Sequence, residues 1–212
     1  MESFRRSQFI MPFGVGAIHT LKGGVTVITA GLDYWFTNNR QPELADISQP
    51  IFNEFKLKDD QRFINRLGID YLMQPPEYRI PQKGQDATGM SNFLLPVPVF
   101  RFPNWHICSS CSTMQNVSSG TTGRVKCQNC DSKSQLSQTR FIVACENGCV
   151  MDFPWREWVF KKNTIALNPS EKNSRLEYTG GNSVNEITVK AFDSNNKKLG
   201  MRTLRGAFGS KQ

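Results

Sequence analysis

Two short runs near the start of the chain, residues 17–21 and 25–29, are rich in β-branched side chains and roughly alternate apolar with polar positions. They flank Lys22-Gly23-Gly24, and paired glycines supply the positive φ that a tight turn demands, so the pattern predicts a β-hairpin. Tyr34, Trp35 and Phe36 follow as consecutive aromatics, expected to pack at the edge of the same core. Residues 38–50 are polar and irregular. Asp59-Asp60 then precede a stretch in which Phe63, Ile64 and Leu67 share one helical stripe. Aspartate suits the free amides of a first turn and Gly68 the position past the last, so a short helix is predicted over 61–67. Pro75-Pro76 and residues 84–89 read as a linker or exposed loop.

Further along, Pro96, Pro98 and Pro103 are interleaved with Val97, Val99, Phe100 and Phe102. Prolines at this density exclude a helix and a central strand, leaving an extended segment that lays alternate aromatics on an apolar surface. Residues 112–126 are rich in Ser, Thr and Gly. Asp152-Phe153-Pro154-Trp155 reads as a helix start, with Asp152 near the cap and Pro154 in the first turn. Trp155, Trp158 and Val159 then recur at i, i+3, i+4, the spacing of a core-facing stripe rather than of a base-stacking platform.

The strongest chemical signal is Cys108-Ser-Ser-Cys111, a fifteen-residue gap, and Cys127-Gln-Asn-Cys130. Two such pairs at this spacing supply four thiolates at the corners of a tetrahedron, the set a structural Zn2+ takes, with no position left for water. His106 lies two residues before Cys108 but is expected to stand by, since four cysteines already close the shell. Cys145 and Cys149 admit two readings, half of a second metal site or a pair of buried thiols, and the second is preferred because no Cys or His follows Cys149. His19 sits in a predicted strand and is read as packed or exposed rather than as a base. With two histidines in all, triad chemistry has little support. No phosphate-binding Gly-Lys-Ser/Thr loop occurs. Arg156 and Glu157 fit either a catalytic or an ion-pairing couple. A nuclease would need clustered carboxylates for a hydrolytic metal. The second half has only scattered acids, Asp152 and Glu157 among them.

Charge changes the picture further. The 212 residues carry 26 Lys plus Arg and 18 Asp plus Glu, a net +8. Residues 1–100 balance at ten of each sign, so the whole excess lies in 101–212. Such a regional bias fits a polyanion-facing surface or a merely solvated one. Arg124, Lys126 and Lys133 around the cysteines, with Lys197, Lys198, Arg202 and Arg205 near the end, are the candidate phosphate contacts. At this length a chain buries roughly 70% of its unfolded surface, enough for one core or two small ones. No run of apolar residues is long enough for a membrane helix, and the N-terminal stretch lacks a signal-peptide cleavage site. Paired cysteines in this arrangement fit metal binding in a reducing, cytoplasmic compartment. The expected fold is α+β, a β-rich mixed domain with an inserted or appended four-cysteine zinc ribbon. Its segments are 1–95 (hairpin and helix), 96–140 (zinc ribbon) and 141–212 (Phe-Pro-Trp helix and basic β region).

Several stretches resemble one family, in order along nearly the whole chain. They are Arg5-Arg6-Ser7-Gln8 with Phe13-Gly14-Val15-Gly16-Ala17, and Ala30-Gly31-Leu32-Asp33-Tyr34-Trp35. Residues 96–103 follow, leading into Cys108 and Cys111, then Cys127 and Cys130, Arg140-Phe141, Ala144-Cys145 and Gly148. The block from Asp152 to Trp158 and the segment from Leu204 to Gly209 complete the set. The chain resembles the DrmB proteins of the DISARM anti-phage system. It departs from them at Cys149, where the family generally has histidine, and over 191–199, which lacks the family's cysteines, so a complete second metal site is not expected. The family's proteins continue into a helicase-associated domain of the DUF1998 type. The resemblance implies a split or truncated version, with the missing domain on a separate chain. It further implies a non-catalytic accessory subunit that joins an SF2-type helicase and grips invading DNA with little sequence specificity. The rival reading is a structural zinc scaffold for protein–protein assembly, with no direct contact to DNA.

Overall fold

The computed structural model describes residues 6–35, 56–57, 60–75, 98–130 and 136–208. The stretches expected to be irregular at 38–50 and 84–89, and Phe36, Asp59, Pro76, Pro96, Val97 and Lys133, lie outside the described residues. The chain divides into two compact units, residues 1–100 and 101–212. The fold is α+β and β-rich, with the four-cysteine cluster in the second unit. No helix among the described residues is long and apolar enough to cross a membrane.

In the first unit, β1 (Ile18–Thr20) pairs antiparallel with β2 (Thr26–Thr29) in the register His19↔Val27. Gly23 and Gly24, at φ +110° and +82°, make the expected turn, a backbone region that side-chain-bearing residues rarely enter. β3 (Val99–Arg101) completes a sheet of order β1-β2-β3, and the chain passes into the second unit within it. As an edge strand between Pro98 and Pro103, β3 is where a proline-rich extended segment belongs. Among the described residues, Phe9 meets Trp35 edge-on at 5.6 Å, and the Trp35 indole donates to Ala30 O at 3.0 Å. His19 packs against Phe13 at 4.9 Å, the packed reading of that residue.

Helix α1 (Gln61–Leu67) ends at Gly68, which is left-handed at φ +64°. The Asp60 side chain makes no capping bond; Gln61 and Asn65 brace the helix instead with a 2.9 Å side-chain bond one turn apart. Of the expected stripe only Ile64 is buried, while Phe63 and Leu67 are 56% and 51% exposed.

The second unit is built on six strands: β4 (Trp105–Cys108), β5 (Thr113–Asn116), β6 (Leu136–Gln138), β9 (Arg175–Thr179), β10 (Thr188–Phe192) and β11 (Lys198–Thr203). They form one antiparallel sheet of order β11-β10-β9-β5-β4-β6. The pairs Thr113↔Glu177 and Met114↔Leu176 join the strands around the first cysteines to those of the basic C-terminal region. Strands β7 (Ile142–Ala144) and β8 (Val150–Asp152) make a separate hairpin.

Helix α2 (Trp155–Phe160) starts after Pro154, and Trp155 and Val159 are buried as the spacing predicts. They join Trp105, Met114, Phe153, Leu176, Val189 and Leu204 in the main core. Each fully buried aliphatic of this kind stabilises the fold by about 1.5–3 kcal/mol relative to exposure. Gly200 of β11 lets α2 approach: a Cβ there would lie 3.1 Å from both Val159 Cγ1 and Phe160 Cε1. Asp152, expected near the helix cap, instead accepts the Asn104 amide at 2.8 Å. Helix α3 (Pro169–Lys172) opens with a reciprocal capping box between Asn168 and Glu171.

Candidate metal centre

The first cysteine pair sits where β4 turns into β5. Cys108 ends β4, Ser112 takes φ +58°, and its amide donates to Cys108 O at 2.9 Å, so the chain reverses within the Cys-x2-Cys segment. The second pair lies on the approach to β6. Gln115 of β5 holds it from the side: its amide group donates to Lys126 O at 3.3 Å and its carbonyl accepts the Gln128 amide at 3.1 Å. Cys108 Sγ lies 3.7 Å from Cys130 Sγ, and Cys111 Sγ lies 3.6 Å from Cys127 Sγ. All four sulfurs fall within 4.8 Å of one another, the expected set brought to one point. A disulfide needs about 2.05 Å, so these are four thiols converging on a common centre.

The immediate surroundings suit thiolates. The Asn129 backbone amide donates to Cys127 Sγ at 3.4 Å, and its side chain donates to Cys111 Sγ at 3.7 Å. Burial pushes the Cys111 thiol up, but hydrogen bonds from Thr113, Asn129 and Cys130 outweigh it and bring the group down to about 6. Burial, together with the proton shared with Cys111 and Cys108, pushes Cys127 up to about 11. A soft cation among the four would displace that proton. Val117 and Leu136 are buried against Cys108, with Val125 alongside, giving the centre an apolar backing of its own.

His106 is buried and does not join the cluster, in line with a bystander's place. Burial lowers its pKa, as does Arg101 nearby, so the ring is neutral. Its Nδ1–H donates to Asn104 O at 2.8 Å, and Nε2 faces Arg101 Nη1 at 3.5 Å. Arg101 was not singled out from the sequence, yet it anchors the Ser/Gly-rich arm. Its Nη2 donates to Gly123 O at 2.8 Å and to Thr121 O at 3.4 Å. No local pattern announces such a residue, because its partners lie some twenty positions away along the chain.

The candidate cations occupy several settings. Arg124 and Lys126 are exposed just before the second cysteine pair, and Lys197 and Lys198 at the β10–β11 turn. Arg205 is exposed after β11, and Lys133 lies outside the described residues. Arg202 is half-buried: its guanidinium stacks 3.5 Å from the Trp158 ring centroid and donates to Trp158 O at 2.9 Å. Arg175, also missed in the sequence, donates to Asn129 Oδ1 at 3.4 Å and to Asn196 Oδ1 at 2.9 Å. It therefore ties the second cysteine pair to the β10–β11 turn at one end of the sheet, beside an open polar cleft lined by Asn173, Asp193 and Ser194 among others.

The remaining candidates are structurally engaged. Arg156 donates to Ser174 O at 3.0 Å and lies 5.0 Å over the Trp105 ring. Glu157 accepts from Thr164 at 2.7 Å. Cys145 and Cys149, preferred as buried thiols, are instead exposed. They sit at the tip of the β7–β8 hairpin, where Glu146-Asn147-Gly148 forms the turn and leaves no core to enter. The Asn-Gly pair was the overlooked signal for that turn.

Over 120 residues, 53% of this chain and 20% of the other, the sequence is 32% identical to the "DISARM protein DrmB" of Bacillus paralicheniformis. The chain thus spans a fifth of the length of that relative. The family described as "Domain of unknown function (DUF8724)" matches residues 5–212, and the chain belongs to it.

Proposed function

We propose that the chain is a zinc-stapled, non-catalytic DNA-binding subunit of a DISARM-type anti-phage assembly, working beside an SF2-type helicase. Similarity to a DISARM protein supports the defence setting. The compartment is cytoplasmic, where thiols stay reduced.

Zn2+ is the proposed ion. Zinc–sulfur bonds of about 2.3 Å give a tetrahedron with edges of about 3.8 Å. The Cys108–Cys130 and Cys111–Cys127 sulfur pairs, at 3.7 and 3.6 Å, fit that size. A four-thiolate shell is closed, so the ion's chemistry is structural: it fixes the turn and the arm. Arg101 and Gln115 then hold the arm and the second knuckle, and Asn129 holds one sulfur of each pair, Cys111 and Cys127.

The observation that carries the DNA reading is the Asn129–Arg175–Asn196 bridge. It links the cysteine segment that follows Arg124 and Lys126 to the turn that carries Lys197 and Lys198. Cations gathered in this way contact phosphates and bind with little regard for sequence. Four such contacts to single-stranded DNA give a slope of log affinity on log salt near about −3. Reversal of Arg124, Lys126, Lys197 and Lys198 to Glu is expected to abolish binding at low salt, and a flat slope for the unaltered chain would reject the phosphate role.

The scaffold reading draws on Arg202, whose guanidinium is spent on Trp158. It expects unchanged DNA affinity in the quadruple variant and loss of helicase co-purification when the metal centre is dismantled. Arg202 is left intact in that experiment because its removal would disturb the fold.

A further inference from the structure

The β7–β8 ladder runs Ile142↔Asp152, Val143↔Met151, Ala144↔Val150, so the next residues in register are Cys145 and Cys149. The Cys145 amide donates to Cys149 O at 3.0 Å, and the Gly148 amide donates to Cys145 O at 3.0 Å. With Gly148 at φ +78°, this is a three-residue turn closed by a glycine bulge. Register places the two cysteines opposite one another across the strands. Residues opposite one another on antiparallel strands have Cα atoms about 4.5–5.5 Å apart, inside the range of about 4.4–6.8 Å that a disulfide spans. Both cysteines are exposed. Among the described residues no third His, Cys, Asp or Glu joins them in a metal-holding group.

We propose that Cys145 and Cys149 form a redox-active dithiol, which a hydroperoxide closes into a cross-strand disulfide and small-molecule thiols reopen. The bulge gives the pair unequal parts. Cys145 O takes the Gly148 amide. The Cys149 and Asn147 amides hold the Cys145 thiol below its ordinary value. Cys145 is therefore the attacking group and Cys149 the resolving one. The Cys145 thiolate attacks the terminal peroxide oxygen; an S–O bond forms, the O–O bond breaks, and hydroxide leaves from hydrogen peroxide or alkoxide from an organic hydroperoxide. The Cys149 sulfur then attacks the Cys145 sulfur; the S–S bond forms, the S–O bond breaks, and the hydroxyl departs as water with the Cys149 proton. Two electrons pass from the thiol pair to the peroxide. An exposed disulfide at a hairpin tip is labile to thiols, which makes the step reversible.

The test uses the metal-loaded full chain, reduced and then freed of reductant. Trypsin releases residues 141–156 as one peptide carrying both cysteines, between Arg140 and Arg156. After hydrogen peroxide that peptide is expected to lose about 2 Da and to recover its mass with dithiothreitol. Cys149→Ser should give no such loss and leave Cys145 as a sulfenic acid that dimedone captures. In Cys145→Ser, the remaining thiol should react more slowly. Far-ultraviolet circular dichroism should be unchanged in both variants. The proposal is overturned if the mass loss is absent at peroxide levels that leave the four-cysteine centre loaded. It is equally overturned if the unaltered chain binds a second equivalent of zinc that Cys145→Ser removes.

Discussion

Arg101 shows how much of the candidate site rests on side chains other than its ligands. Its guanidinium is nearly buried and has carbonyl oxygens and the His106 ring as partners. Arg101→Met keeps the length of the side chain and removes the hydrogen bonds. Bonds to a charged group contribute about 1.5–3 kcal/mol, so a stability loss of that size is expected in urea unfolding of the metal-loaded chain. Faster amide exchange over 118–126 should accompany it; exchange confined to other segments would assign the loss to something besides the arm. The ligands themselves were legible because Cys-x2-Cys spacing is a local property. Arg101, Gln115 and Arg175 were not, since their partners become neighbours only after the sheet forms. Cys145 and Cys149 were misjudged on burial for a related reason: thiols are usually inside, and only the Asn-Gly turn between them told otherwise.

Among the elements, the β1–β2 hairpin, α1 and α2 follow from turn glycines and apolar spacing read along a few residues. What spacing could not give is which capping candidates are used. Asp152 serves the Asn104 amide, and Pro154 rather than Asp152 flanks α2. The seat of α2 on β11 was equally hidden, because a glycine within a strand marks a close approach without saying by what. Gly200→Val is therefore expected to force Val159 and Phe160 aside. Overpacking of this kind costs about 1–3 kcal/mol, measurable as a lower urea midpoint with an unchanged slope. An unaltered midpoint would mean that the helix shifts freely.

For the second unit as a whole, the decisive feature is that the strands flanking the cysteines and those of the basic C-terminal region share one sheet. The β5–β9 pairing joins residues some sixty positions apart, a contact no local pattern encodes. It bears on what metal removal should do. The cluster of Val117 and Leu136 around Cys108 is small, whereas that of Trp105, Trp155, Leu176 and Leu204 does not include the thiols. Chelation is thus expected to strip hydrogen-exchange protection from residues 108–130 while β9–β11 keep theirs. Complete exchange throughout 101–212 would instead make the ion the keystone of the entire sheet. One guanidinium gives this partial collapse a reach of its own. With Arg175 grasping both Asn129 and Asn196, slackening of the second cysteine pair loosens one end of the tether on the β10–β11 turn. The lysines there would then wander over a wider arc and present a blurred positive charge, so an ion that touches none of them would still set how sharply that rim is focused.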